Sequence, residues 1–241
     1  MSLQAVSIRT KLVIAFSILT VFAVGLGVLG LVSTYKLREQ ALQIEENWLP
    51  SIRILGEIDT LTSRSSGLLL RHTQATDAAL LGSIEKDMES FDKKLSDKIA
   101  SYRTMISSAD ERTLFETFER ESETFKSVRN EVVDLSRGGH KAEAYQLYET
   151  KGLIPRRAAS KALEKLIAIN NEGAKDAQAQ SKAVYQETWT VILVAIVLAL
   201  SLSILSGVVI VLGVTRGIAS VVRPMQAAIQ PRSIVGTISA R

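Results

Sequence analysis

The sequence predicts an all-α protein in which an antiparallel up-down-up-down four-helix bundle is continuous with two transmembrane helices. Three observations lead to this fold class: two long apolar runs, a helical spacing of apolar residues between them, and a shortage of prolines and aromatic residues. Only four prolines and 5% aromatic residues occur in the 241 residues, which favours helices over a β-sandwich.

Two apolar runs are long enough to cross a membrane. Residues 12–32 and residues 191–214 contain no charged side chain, and about 20 apolar residues span the hydrocarbon core of a bilayer. The first run exceeds the apolar region of a signal peptide, about 7–15 residues, and no clear cleavage site follows it. We therefore expect two transmembrane helices, the first of them an uncleaved anchor.

The charges predict how the chain lies across the membrane. The tails, residues 1–11 and 215–241, carry six Lys and Arg and no acidic residue, whereas all 25 Asp and Glu lie between the apolar runs. Because positively charged segments stay in the cytoplasm, we expect both termini there and residues 33–189 outside. The net charge of +4 then reflects topology, and we expect no nucleic-acid binding.

The outer segment has the spacing of four main helices. We expect a kink at Pro50 in the first of them, because proline removes one helical hydrogen bond and crowds the previous turn. Short connections between four amphipathic helices are typical of an up-down-up-down bundle. The predicted helices cover residues 37–72, 77–106, 109–137 and 155 onwards into the second apolar run, with a short helix over 141–149.

Local signals mark several helix ends. The stretch SADE, residues 108–111, fits a capping box at the start of the third helix. Gly138 and Gly139 are predicted to end that helix, since glycine tolerates the left-handed backbone of a C-cap. We expect the KGLIPRR stretch, residues 151–157, to break the chain before the last helix, which Pro155 suits as a first-turn residue.

Small residues repeat every fourth position in the second apolar run, and this spacing lets helices approach closely in lipid. The pattern favours a specific dimer or bundle within the membrane. The alternative is that Ala, Ser and Gly are simply common in membrane spans. The repeat consists of Ala195, Ala199, Ser203 and Gly207.

The stretch SRSSGLLLRH, residues 63–72, suggests a ligand site. Arg64 and Arg71 are seven residues apart and therefore lie on one helix face, with Leu68 between them as an apolar floor. Guanidinium groups bind carboxylates in a bidentate manner. These three residues are candidates for binding a small carboxylate ligand.

Three further arginines come to a similar level of the bundle. At about 1.5 Å of helical rise per residue, Arg156 and Arg157 on the last helix and Arg129 on the third lie near the height of Arg64. We expect Arg156 and Arg157 to join the same basic collar. The alternative is that all these arginines are solvated or paired with acidic residues.

Several classes of chemistry find no support. The chain has no cysteine, and its two histidines, His72 and His140, are far apart in sequence. A disulfide, a thiolate site and a histidine-based metal cluster are therefore not expected, although carboxylates alone could hold a hard cation. Nucleotide, hydrolase and zinc-protease motifs are absent from the sequence. We expect no enzyme, no cofactor and no metal.

The order of segments resembles that of bacterial methyl-accepting chemotaxis proteins with a four-helix-bundle sensor domain. The order is a basic tail, a membrane span, an outer domain, a second span and the motif R-x-I-x-x-x-x-x-P-M. Individual motifs that carry the resemblance are loose, but their order and spacing match. They include NWLPSIR at 47–53, GGHKAEA at 138–144 and LIAINNEGAKDAQAQS at 166–181.

The resemblance implies a homodimer in the bacterial inner membrane, with its sensor domain in the periplasm. Ligand binds near the membrane-distal part of the dimer interface in that family, where arginines of the first helix grip a carboxylate. Arg64 and Arg71 match that pattern, and the region of Arg156 and Arg157 corresponds loosely to the residues that complete the pocket. Binding then displaces the last helix slightly towards the cytoplasm.

The C-terminal segment departs from the family. TRGIASVVRPMQ, residues 215–226, looks like the first helix of a HAMP relay domain, and Pro231 would stop that helix. No second HAMP helix and no signalling hairpin follow in the sequence. We therefore expect a receptor truncated within HAMP, which would meet the chemotaxis kinase and its adaptor only if a full-length signalling domain were present.

Two alternatives remain open from the sequence. The chain could be the sensor portion of a histidine kinase or a cyclase, since these proteins share the same input domains. It could also be a standalone truncated receptor that dimerises with full-length receptors. The genomic sequence downstream of Arg241 distinguishes them.

Overall fold

The computed structural model describes residues 7–229, and within this range every regular element is helical. This confirms the all-α class and the four main helices of the bundle. Side chains are described only as far as Ile218, with a few gaps, so the arginines of the HAMP-like segment and the predicted stop at Pro231 lie outside the described part. The helices are α1 (Ile8–Leu42), α2 (Leu49–Gln74), α3 (Ala78–Arg103), α4 (Ala109–Arg137), α5 (Lys141–Leu147) and α6 (Leu153–Ile229).

The chain forms two compact units. One is the bundle, residues 37–182, and the other consists of the two terminal segments with the apolar runs. Helices α1 and α6 each contribute residues to both units.

The hydrophobic core of the bundle divides into two clusters along the helices. Each cluster takes residues from at least three helices, so burial of apolar surface holds the bundle together. The first cluster contains Leu55, Ile58, Tyr102, Phe115, Phe118, Ala159, Ala162, Leu163 and Leu166. The second contains Leu69, Ala75, Ile84, Met88, Phe125, Val132, Val133, Ala144 and Tyr148.

Pro50 does not interrupt the helical path, as expected, but the irregularity takes a specific form. A π-helical segment, Gln43–Trp48, joins α1 to α2, and Pro50 occupies the first turn of α2. The Leu49 N–H donates to the Ile44 carbonyl, five residues earlier. Because proline cannot donate an N–H to the carbonyl four residues before it, the wider turn accommodates the missing bond.

The predicted helix ends are confirmed in detail. Ser108 caps α4, and its hydroxyl and the Glu111 carboxylate satisfy each other's backbone N–H groups as a capping box. At the other end Gly139 has φ of +87°, and His140 N–H donates to the Leu135 carbonyl at 2.9 Å. This pattern is a Schellman motif, which requires a residue that adopts positive φ easily.

The predicted break at residues 151–157 is wrong. A second π-helical segment, Tyr148–Gly152, connects α5 to α6, and helix continues through Pro155. Pro155 is the third residue of α6, where the missing N–H would have had no partner within the helix. The chain therefore passes from α5 into α6 without leaving helical geometry.

Both apolar runs lie in helices long and apolar enough to cross a membrane. The most apolar window in each has none of its residues buried, with mean hydropathy of 2.7 in the first and 2.8 in the second. Phe16 and Leu31 in the first run and Ile204 in the second are more than 60% exposed. Exposed apolar helices of this length suit a lipid environment better than water.

Gly173 of α6 meets the indole ring of Trp48 from the first π-helical segment. A Cβ added at Gly173 would lie 2.6 Å from two ring carbons of Trp48, far inside normal contact distance. Glycine is therefore required here for the close approach of Trp48 to α6.

Substituting Gly173→Ala should displace Trp48 and destabilise the bundle by about 1–3 kcal/mol, as overpacking does. In a Trp189→Phe background, Trp48 is the remaining tryptophan, so its fluorescence emission should shift to longer wavelength. Gly82→Ala is the matched control, because a Cβ there meets nothing within 4 Å and should stabilise α3 by about 0.5–1 kcal/mol. Unchanged emission and stability in Gly173→Ala would contradict the contact.

Candidate functional site

A polar layer separates the two hydrophobic clusters, and it surrounds a cavity. The cavity has a volume of about 250 Å³ and lies between α2, α3, α4 and α6. Its walls combine charged, hydroxyl and apolar side chains, which is the composition of a small-molecule site. The lining residues that matter below are Ser65, Asp92, Leu95, Ile99, Glu119, Ser122, Glu123, Phe125, Lys126, Arg129, Arg156 and Ala159.

A buried ion pair forms one wall of the cavity. Arg129 of α4 is only 7% exposed, and its two terminal nitrogens donate to the two carboxylate oxygens of Asp92 on α3, at 2.7 and 2.6 Å. The same guanidinium donates to the Ser65 hydroxyl of α2 at 3.2 Å. The bidentate geometry offsets the cost of desolvating both charges and links three helices.

Two other polar groups on the cavity wall have no partner. Among the described residues, three buried side-chain atoms make no hydrogen bond: Ser122 Oγ, Arg156 Nε and Asn170 Oδ1. The first two line this cavity. A buried donor without an acceptor costs about 1–3 kcal/mol, so these groups are suited to meeting a polar group inside the cavity.

The remaining charged groups on the wall are accounted for. Glu119 forms an ion pair with Arg103, which lies outside the cavity. Glu123 and Lys126 are exposed at the rim, where water solvates them. Arg156 differs, because it makes no ion pair with any residue that the structure describes.

The structure brings together only some of the arginines in the predicted collar. Arg156 and Arg129 both line the cavity. Arg64, Arg71 and Arg157 are exposed and do not line it.

Leu68, expected to form the floor of the site, is half-buried and packs against the second hydrophobic cluster. As ligand-binding residues, Arg64, Leu68, Arg71 and Arg157 remain predictions. Their positions on the surface of this chain leave a site between two subunits open to them.

Sequence reasoning missed Ser122 and Asp92. Ser122 and Arg129 occupy positions of α4 that alternate with Phe118, Phe125 and Val132 at steps of four and three. These are core positions of a bundle helix, where a polar residue departs from the pattern. That departure was the available signal.

A second polar network lies at the end of the bundle where α2 ends and α3 begins. His72 is fully buried; its Nδ1 lies 2.9 Å from Ser136 Oγ and its Nε2 lies 3.0 Å from Glu85 Oε1. Arg137 donates two hydrogen bonds to Glu85 and thereby lowers the pKa of that carboxyl. The network links α2, α3 and α4.

A third network, around Glu111, fixes the opposite end of the bundle. Glu111 is 1% exposed and accepts hydrogen bonds from Tyr102 on α3 and from Asn170 on α6, at 3.1 and 2.8 Å. Its other oxygen accepts from the N–H and hydroxyl of Ser107. Burial acts to raise the pKa of Glu111, but these hydrogen bonds outweigh it and the pKa is lowered.

Replacing Glu111→Gln should destabilise the bundle by about 1–3 kcal/mol, because an amide leaves one buried donor facing another. Glu116→Gln, at an exposed position of the same helix, is the control and should have little effect. Thermal unfolding of the full chain in detergent, followed by circular dichroism, measures both.

The pH dependence of this difference gives a second measurement. The folded-state pKa of Glu111 lies below its ordinary value of 4.5, so its stabilising effect is complete above that value and is lost as pH falls through the folded-state pKa. The stability gap between the native chain and Glu111→Gln should therefore narrow as pH falls below about 4.5. A gap that widens on acidification would contradict the assignment.

Within the described residues, no group of three or more histidine and acidic side chains is placed to hold a metal ion. The geometry is that of a helical bundle with a polar cavity, attached to helices suited to a membrane. Such a fold and site define a membrane-associated sensory module. Residues 5–185 match the family described as a four helix bundle sensory module for signal transduction, and the chain belongs to that family.

One curated relative is similar over most of this chain. It is named "Putative sensory transducer protein YvaQ" from Bacillus subtilis (strain 168), and it is 24% identical over 219 residues, 88% of this chain. The chain spans 37% of the length of that relative. The family match confirms the resemblance to chemoreceptor sensor modules.

Proposed function

We propose that the chain is the sensor module of a transmembrane chemoreceptor, which binds a small organic acid outside the cytoplasm and passes a signal across the membrane. The observation that carries this proposal is the course of α6. The helix contributes Arg156 and Ala159 to the cavity and continues as helix through the second apolar run. A ligand that displaces α6 in the bundle thereby acts on the helix that enters the membrane.

The expected topology agrees with this role. Both termini are cytoplasmic, the bundle faces the periplasm or cell exterior, and the chain acts as a homodimer in a bacterial inner membrane. The small-residue repeat of the second apolar run supports close helix packing there. The segment after that run acts as the first helix of a HAMP relay.

The proposed role is sensing and not catalysis. Family membership supports this, because the family is a sensory module. The relative's name also refers to a sensory transducer. In a complete receptor the output partners would be the chemotaxis kinase and its adaptor.

A hybrid receptor tests the proposal. Residues 1–229 are joined in helical register to the HAMP and signalling domains of a full-length chemoreceptor, and phosphorylation by the chemotaxis kinase is measured with purified membranes. We expect at least one small organic acid to change kinase activity in a concentration-dependent way. The parent receptor, which keeps its own sensor, is the control and should not respond to that acid.

A hybrid that assembles with the kinase, shows normal basal activity and responds to no compound would contradict the chemoreceptor function. A catalytic domain encoded in frame after Arg241 would instead favour the sensor portion of a histidine kinase or cyclase.

A further inference from the structure

We propose that the ligand site is the cavity inside a single bundle, and that it takes a small organic carboxylate whose anionic group contacts Arg156 and Ser122. This inference rests on the proposed function and adds to it the location, the contacts and the stoichiometry of binding. The site is complete within one chain, because α2, α3, α4 and α6 of the same bundle provide its walls.

The charge of the cavity wall selects an anion. The guanidinium of Arg129 is neutralised by Asp92, and Glu119 is neutralised by Arg103. Arg156 has no carboxylate partner among the described residues, and its Nε–H is buried without an acceptor. One positive charge is therefore left on the wall, and an oxyanion would satisfy it with charge-assisted hydrogen bonds.

A second donor lies on the same wall. The Ser122 hydroxyl is buried and unpartnered, and it lines the cavity with Arg156. A carboxylate has two oxygens with about four acceptor sites, so it can accept from both groups together. Binding would remove two of the three unsatisfied buried side-chain atoms of the described chain.

The size and remaining walls of the cavity select the body of the ligand. A volume of about 250 Å³ equals that of about eight water molecules at ~30 Å³ each, which limits the ligand to a small compound. Leu95, Ile99 and Phe125 give the cavity an apolar side. A short-chain or aromatic carboxylate buries apolar surface there, whereas inorganic phosphate has none to bury.

Binding to the full chain in lipid nanodiscs is measured by calorimetry with butyrate, benzoate and malate. Butyramide and inorganic phosphate are the comparators that lack the charge or the apolar body. We expect a carboxylate to bind with one site per chain. Arg156→Ala should weaken this binding about 10-fold or more, the value of a charged hydrogen bond.

Arg157→Ala is the matched control, because it removes the same side chain at the next position, which is exposed and outside the cavity. It should leave the affinity within about twofold, as expected for a solvated surface charge. Ser122→Leu, which fills the cavity without removing a charge, should also abolish binding. Circular dichroism verifies that each variant keeps its helical content.

Two results would overturn the inference. The first is a carboxylate that still binds Arg156→Ala and Ser122→Leu but is lost in Arg64→Ala or Arg71→Ala, which places the site on the outer face and leaves the proposed function intact. The second is that none of the carboxylates binds, or that phosphate binds as well as they do, in which case the cavity holds water or any anion. The hybrid receptor then decides separately whether the chain is a sensor.

Discussion

The buried ion pair between Arg129 and Asp92 determines how the interior of this bundle is organised. Each charge needs the other, because an unpaired charge at this depth would cost several kcal/mol. The pair occupies core positions that apolar side chains would otherwise fill, and it divides the core into two clusters. The cavity lies in this polar layer. A continuous apolar core would have closed over the site to the packing density of a protein interior.

The two ends of the bundle are fixed by different polar networks, and this leaves the middle as the place where a ligand can act. Glu111 ties α3, α4 and α6 at one end, and His72 with Glu85 ties α2, α3 and α4 at the other. Both networks are well supplied with partners, whereas Arg156 and Ser122 between them are not. Unsatisfied donors concentrate where binding energy is available to a ligand.

The sequence was sufficient to predict the helices, their caps and the two membrane-type runs, because these depend on spacing and on residues within a few positions. The SADE capping box and the glycine end of α4 are examples. The π-helical segments were not predicted, since they depend on a choice between neighbouring hydrogen-bond partners. The collar was predicted only in part, because periodicity places an arginine on a helix face but does not reveal which carboxylate on another helix meets it. Asp92 neutralises Arg129 for that reason, while Arg156 remains available.

A single cysteine tests most directly whether the bundle holds an open, ligand-sized cavity. The native chain has no cysteine, so Ser122→Cys would carry one thiol on the cavity wall. The account predicts that this thiol reacts with a small methanethiosulfonate reagent, resists a bulky one, and is protected by a bound carboxylate. Phe118→Cys, in the closed first cluster, should react with neither. Equal inertness of the two cysteines would contradict the existence of the cavity.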